Sequence, residues 1–359
     1  MKLRVAVVGA LLLAGSVARA DTPPSPWDIA RDPDERARWA LHVRVQRLLV
    51  PPADEEVPIP IVRDEQMELR LEAARALLEE ARAADSTDMR LRLDLGNVYR
   101  LLGDRQGRRD MYELAVRVLG PASDAMEARE HGAPDGDGLT AALESLVYAY
   151  AKLNRPREEL ATWHRYIPRL VDDRVRATAL MNMGEAEMRL GRVDDAVATF
   201  REVERLCGTL PNTPGVIQTY VLDLWDLAVA LDRSGDPQGA MENATQAVHM
   251  KGMAMLRGDS VFFVPDWERL WYLALGAMVE AREDKDVAEA VRYWINAEAQ
   301  WDEYIAQAGI DGKDPWIAIA RVRRERTHRE LEAAKKRAGK AYQAAREKPS
   351  LIEGQSHRK

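Results

Sequence analysis

The chain has little of what would staple a small exported domain or run a reaction. Cys207 is its single cysteine among 359 residues. One thiol cannot close an internal disulfide, so stability has to come from packing. Cys207 itself falls on an apolar helix face and reads as a buried thiol. Phenylalanine is scarce, with three residues, and the large apolar volume is carried instead by nine tryptophans and 13 methionines. Long alternating β-branched runs are absent, and with them the signature of a strand-rich fold. The six histidines, at 42, 131, 164, 249, 328 and 357, never pair at i, i+4 spacing, so no helix-borne zinc site is visible. No glycine-rich loop ends in Lys-Ser or Lys-Thr to cradle a phosphate. Beyond the N-terminal region no stretch is apolar enough to cross a bilayer.

What is present begins with that N-terminal region. Lys2 and Arg4 precede an apolar run from Val5 to Ala14, and Ala18-Arg19-Ala20 has the small-x-small form of a cleavage site. Residues 1–20 therefore read as a secretory signal peptide, and the expected location is the periplasm or the exterior. Without those residues the chain carries 49 basic and 59 acidic side chains. The imbalance is uneven: residues 321–359 hold 13 basic and five acidic residues, so the body before them is strongly acidic. An acidic body argues against general nucleic-acid binding.

Alanine, leucine, arginine and glutamate dominate the remainder, which favours helix. Asp32 caps a helix that starts at Pro33 and runs to about Leu49. PPADEEVPIP at 51–60 carries four prolines and reads as an extended linker, closing an N-terminal segment of residues 21–60. A helix is expected from Asp64 to Ala84. From there a pattern recurs. Leu95-Gly96 is followed by Tyr99, Leu102-Gly103, Tyr112 and Ala115; Leu143 by Tyr150, Trp163 and Tyr166. Met183-Gly184 is followed by Leu190-Gly191, Ala196, Phe200 and Val203. Leu224, Ala228, Leu231, Gly235, Ala240 and Ala244 form a fourth set, and Leu275-Gly276, Val279, Ala290 and Trp294 a fifth. Insertions separate the sets at 120–138, 208–215 and 251–265.

These residues resemble the tetratricopeptide repeat, a helix–turn–helix unit of about 34 residues. The resemblance is best over Ala177 to Pro211 and covers residues 61–310. It implies an all-α fold: a right-handed α-solenoid in which Gly96, Gly184 and Gly276 let a second helix approach and Phe200 or Trp294 fills the gap. Gly103, Gly191 and Gly235 are expected to end first helices. In such proteins the first helices line a concave groove. That register puts Arg90, Asn97, Arg100, Glu144, Tyr148, Glu185, Met188, Trp225 and Asp232 at the groove. A clamp for a terminal carboxylate needs Lys, Arg and Asn across successive units, and the later units offer glutamate instead. Residues 315–347 are expected to form one long basic helix with a narrow stripe at Ala320, Arg324, Thr327, Leu331, Ala334, Ala338, Ala341 and Ala345, followed by a polar tail at 348–359.

Chemistry-bearing motifs are sparse. Gly258-Asp259-Ser260 resembles the nucleophile block of an esterase family but lacks the preceding strand and the late Asp-x-x-His. His249, Met250, Met253 and Met255 form a soft-ligand cluster, although methionine at helical spacing is usually core filler. Asp135-Gly136-Asp137-Gly138 lacks the further acids of a calcium loop. No cofactor, metal or catalytic set is implied. Trp267, Trp271, Tyr272, Tyr293, Trp294, Trp301, Tyr304 and Trp316 are core residues by spacing, with stacking on cell-wall sugars as the alternative. The expectation is a non-enzymatic interaction scaffold of the cell envelope that holds a protein or peptide partner in its groove. The alternative is an envelope-surface or cell-wall binder that uses the basic helix and the late aromatics.

Overall fold

The computed structural model describes residues 31–49, 64–83, 86–129, 137–257, 263–310, 312 and 314–339. Among them are fourteen α-helices and no strand. Residues 1–20, read above as a signal peptide, the expected linker at 51–60, Asp135 and Gly136, Gly258-Asp259-Ser260 and residues 340–359 lie outside these residues. Among the described residues no helix is long and apolar enough to cross a membrane.

The helices are α1 (Pro33–Leu49), α2 (Asp64–Glu80), α3 (Met89–Gln106), α4 (Arg109–Arg129), α5 (Asp137–Lys152), α6 (Pro156–Tyr166) and α7 (Asp173–Arg189). They continue with α8 (Val193–Thr209), α9 (Pro214–Ser234), α10 (Pro237–His249), α11 (Gly252–Arg257), α12 (Glu268–Glu283), α13 (Val287–Ala308) and α14 (Ile317–Ala338). Each packs chiefly on its neighbours in the chain, as in a repeat-like array of helix pairs. The start signals are local. The side chains of Asp88, Asp172, Thr213, Asp236 and Asp286 each accept a backbone N–H of the first turn that follows. Pro156, Pro214 and Pro237 sit where the missing N–H costs nothing.

The contact that defines a pair is visible at Gly184 on α7. A Cβ there would lie 2.5 Å from the Phe200 ring of α8, and Phe200 is fully buried. Gly96 on α3 takes Leu119 of α4 in the same way. Gly276 departs from the expectation. Its open side is filled by the Met253 sulfur, which belongs to the insertion, while Trp294 packs elsewhere with the Arg282 guanidinium on its ring.

Three further expectations are corrected. Gly103 does not end its helix: α3 continues to Gln106, Gly103 lies against the Tyr112 ring, and Gly107 at φ +62° is the left-handed residue. Gly191 and Gly235 do take that conformation, at φ +73° and +95°. The 120–138 insertion begins as helix, because α4 runs through Pro121 to Arg129, and its added turns are held by Arg165 and Arg169 of the next pair through Asp124 and Glu127. In the 251–265 insertion, where the apolar run Val261 to Val264 before Pro265 points to an extended segment packed on the array, residues 252–257 are the helix α11, and residues 258–262 lie outside the described residues.

The core falls into three clusters. One joins α1 to α5, one joins α5, α6 and α7, and the largest runs from α7 to α14. Two helices knit them together by burying opposite faces. In α5, Leu143 and Val147 face the middle cluster while Leu146 and Ala149 face the first. In α7, Met183 and Ala186 face the middle cluster while Met181 and Met188 face the last.

Gly184→Ala is expected to destabilise the chain by about 1–2 kcal/mol. The overpacking against a ring that cannot move exceeds the roughly 1 kcal/mol that alanine gains in a helix. Urea unfolding checks this, and Phe200→Leu added to the variant should recover part of the loss. A raised midpoint for Gly184→Ala would contradict the close approach.

Candidate interface on the first-helix face

The first helices of the pairs are α3, α5, α7, α9 and α12, and nine of their residues are the groove candidates. The structure sorts those nine into three groups. Arg90 is engaged: its Nε donates to Asp88 at 2.9 Å, Nη2 donates to Glu35 at 3.1 Å, and the guanidinium lies 5.3 Å from the Trp39 ring centre. It fastens α1 to α3.

Met188, Trp225 and Asp232 are buried, which corrects their assignment to an open groove. Met188 faces the last core cluster. Trp225 is covered by α11: a Cβ on Gly252 would sit 2.5 Å from its indole nitrogen, and that nitrogen has no hydrogen-bond partner among the described residues. Asp232 accepts from Arg323 Nε of α14 at 2.7 Å and from Trp271 Nε1 at 3.1 Å. The insertion and the last helix thus close the later part of this face with the chain's own atoms.

Asn97, Arg100, Glu144, Tyr148 and Glu185 remain partly or fully exposed. Arg100 donates to Asn97 Oδ1 at 3.2 Å and to Asp104 at 2.7 Å, and lies 5.9 Å from the Tyr148 ring centre. Burial raises the Tyr148 pKa, Glu144 adds to the rise, and Arg100 opposes it. At the end of α5, Lys152 is held below its ordinary range by burial, against the attraction of Asp104 and Asp266. Asp266 precedes α12, so residues from the first and last pairs act on one amine.

Glu185 is the most perturbed of the five. Its pKa is pushed up to about 7, first by desolvation and then by Glu159 and Glu268, with Arg189 opposing. No described side chain donates a hydrogen bond to it. Two neighbouring acids are satisfied. Glu159 accepts from Arg189 at 2.7 and 2.8 Å, and Asp226 accepts from the Tyr272 hydroxyl at 2.8 Å. On the same first-helix face, the unpaired Glu185 carboxyl of α7 and the Arg100–Tyr148 pair of α3 and α5 offer different chemistries, a site for a cation or hydrogen-bond donor and an aromatic face.

Sequence reasoning missed the buried polar groups. Arg233 donates to Glu268 at 2.6 Å and lies between Trp271 and Trp316, 4.4 and 5.1 Å from their ring centres. Trp271 meets Trp301 and Tyr304 edge-on, both at 5.1 Å. Trp271, Trp301 and Tyr304 are fully buried, so these faces are closed to a sugar ring. Asp223 is also fully buried, and neither carboxylate oxygen has a partner among the described residues. Its pKa is pushed up to about 9 by burial, with Glu204 adding to the rise. A patterned helix gave no signal for these beyond an acid at an apolar position.

The basic C-terminal helix docks on the chain's own acids. Arg324 pairs with Asp302 and Glu298, and His328 Nδ1 lies 2.8 Å from Glu298. Ala320, Thr327, Leu331, Ala334 and Ala338 are its buried stripe, as the spacing implies, while Arg324 lies beside that stripe, half-exposed. Of the soft-ligand cluster, His249 pairs with Glu283 and Met253 is buried on Gly276. Among the described residues no group of three or more His, Cys, Asp or Glu could hold a metal. Compared with known proteins, the chain matches no family model and no curated protein.

Two outcomes are expected. Arg323→Met should cost about 2–4 kcal/mol, because it leaves Asp232 buried without its charge partner. Urea unfolding would register the loss, and limited proteolysis should cut near α14 first; wild-type resistance at that helix would count against the lock. For Asp223 the folded pKa lies above the ordinary 3.8. The folded chain therefore keeps a proton that the unfolded chain has lost. Its contribution to stability falls as pH rises from about 4 towards 9, by at most about 4 kcal/mol at pH 7. Asp223→Asn should flatten the change in urea midpoint between pH 5 and pH 8. An unchanged slope would mean that another group titrates.

Proposed function

We propose that the chain is a non-enzymatic interaction scaffold, a right-handed α-solenoid of tetratricopeptide-like helix pairs, exported to the cell envelope. Its partner is a protein or peptide segment held across α3, α5 and α7, and its role is to position that partner within an envelope assembly. One observation carries the reading. The part-exposed and exposed first-helix residues of these three units supply hydrogen-bonding, cationic, aromatic and anionic groups, whereas on the next first helix α11 and α14 cover Trp225 and Asp232. Such a face suits an extended or helical segment bound by a few central contacts. Export rests on the sequence of residues 1–20.

A photo-crosslinking residue at position 148, and a second at Arg201 on an exposed part of α8, test this face in a cell-envelope fraction. A discrete adduct at 148 that is absent at 201, and lost when Arg100 and Glu185 are replaced by alanine, is the expected result. Equal adducts at both positions, or none at 148, would overturn the assignment.

A further inference from the structure

We infer that the cleft between α10, α12 and α14 is a binding site for a small organic acid, a single carboxylate on an apolar body. This site stands apart from the first-helix face and does not depend on it.

The cleft has a volume of about 690 Å³, in the range of small-molecule sites. Its floor is apolar, from the buried Val279 of α12 and the half-buried Met241 of α10, and Thr245 adds a hydroxyl to the wall. Two arginines converge on it from different helices, Arg282 of α12 and Arg326 of α14. Among the described residues neither forms an ion pair with a carboxylate. Elsewhere on α14 the pattern is the opposite, since Arg323 and Arg324 both reach acids of other helices.

The Arg282 guanidinium lies 5.7 Å from the Trp294 ring centre, a cation–π contact that uses none of its N–H donors on a carboxylate. Crowding by protein lowers the Arg282 pKa, the like charge of Arg326 lowers it further, and Glu330 partly opposes. A bound carboxylate would relieve that repulsion.

Glu242 and Glu283 also line the cleft, but each has another partner, Gln238 at 3.0 Å and His249 at 2.8 Å. They set the charge that the site accepts. Two cations and two anions make the lining neutral overall, so one carboxylate met by the arginine donors brings it to a single negative charge, and a dianion or polyanion is disfavoured further. The apolar floor then selects an acid with an aliphatic or aromatic body over acetate.

A free acid and an acid borne on a peptide share this chemistry, and titration calorimetry on the full chain separates them. The probes are phenylacetate, octanoate, their amides, inorganic phosphate, and a blocked peptide with one glutamate between apolar residues. Binding of an acid or of the peptide, loss with the amides, and a weakening of about tenfold or more in both Arg282→Gln and Arg326→Gln are expected. Melting curves of the two variants should match the parent, because neither arginine is ion-paired with a carboxylate of the chain among the described residues. Thr245→Val gives a third, milder probe with a several-fold weakening. Binding by the peptide alone would assign the carboxylate to a polypeptide source. Equal binding of acid and amide, tighter binding of phosphate, unchanged affinity in both arginine variants, or no binding by roughly 10 mM would overturn the site.

Discussion

Everything in this array depends on how closely the two helices of a pair can approach. The distance is set by a position with no side chain facing a large one. Gly184 receives the Phe200 ring and Gly96 receives Leu119, at separations where a single methyl group would have to displace buried atoms. A helix pair formed this way still has an apolar face to cover, so it must stack on the next. α5 and α7 show the consequence: each buries opposite faces in two different core clusters, and through them the first and last thirds of the molecule are joined.

Where the seat is filled from a different part of the chain, the architecture changes. At Gly276 the occupant is Met253, so the insertion after α10 becomes part of the core. That one substitution of partner brings α11 across Trp225 and closes a surface that a regular array would leave open. At the other end, Arg323 reaches Asp232 and the alanine stripe of α14 lies against buried atoms of the preceding pair. α14 is therefore integral to the last unit, and its positive charge is partly spent within the molecule on Asp232, Asp302 and Glu298.

The acidic character of the chain is handled in two ways. Two buried acids, Glu159 and Asp232, and the part-buried Glu268 are paired with Arg189, Arg323 and Arg233. Such pairs cost desolvation and return specificity of arrangement more than stability, since a displaced partner leaves a charge in a dry site. Asp223 and Asp226 have no cation partner among the described residues, and both are pushed toward the protonated form, as is the part-exposed Glu185. Asp223 is sealed within the packing, with Glu204 of α8 acting on it, whereas Glu185 is partly exposed.

The sequence by itself determined the helices. Caps, first-turn prolines and left-handed glycines are local devices, and Asp172, Thr213, Pro214 and Gly235 act where their chemistry says they should. It also determined the pairing of α7 with α8, because a glycine and a phenylalanine at fixed spacing need nothing beyond their own unit. Which first-helix residues stay open was decided only by the tertiary structure. Trp225 and Asp232 lie on a first helix, at positions that the repeat pattern assigns to the same face as Asn97 and Arg100, and nothing local distinguishes them. The difference comes from α11 and from Arg323, which lies 91 residues beyond Asp232. Contacts over that span depend on how the whole array stacks, and a periodic pattern records the period of the units, not what eventually covers them.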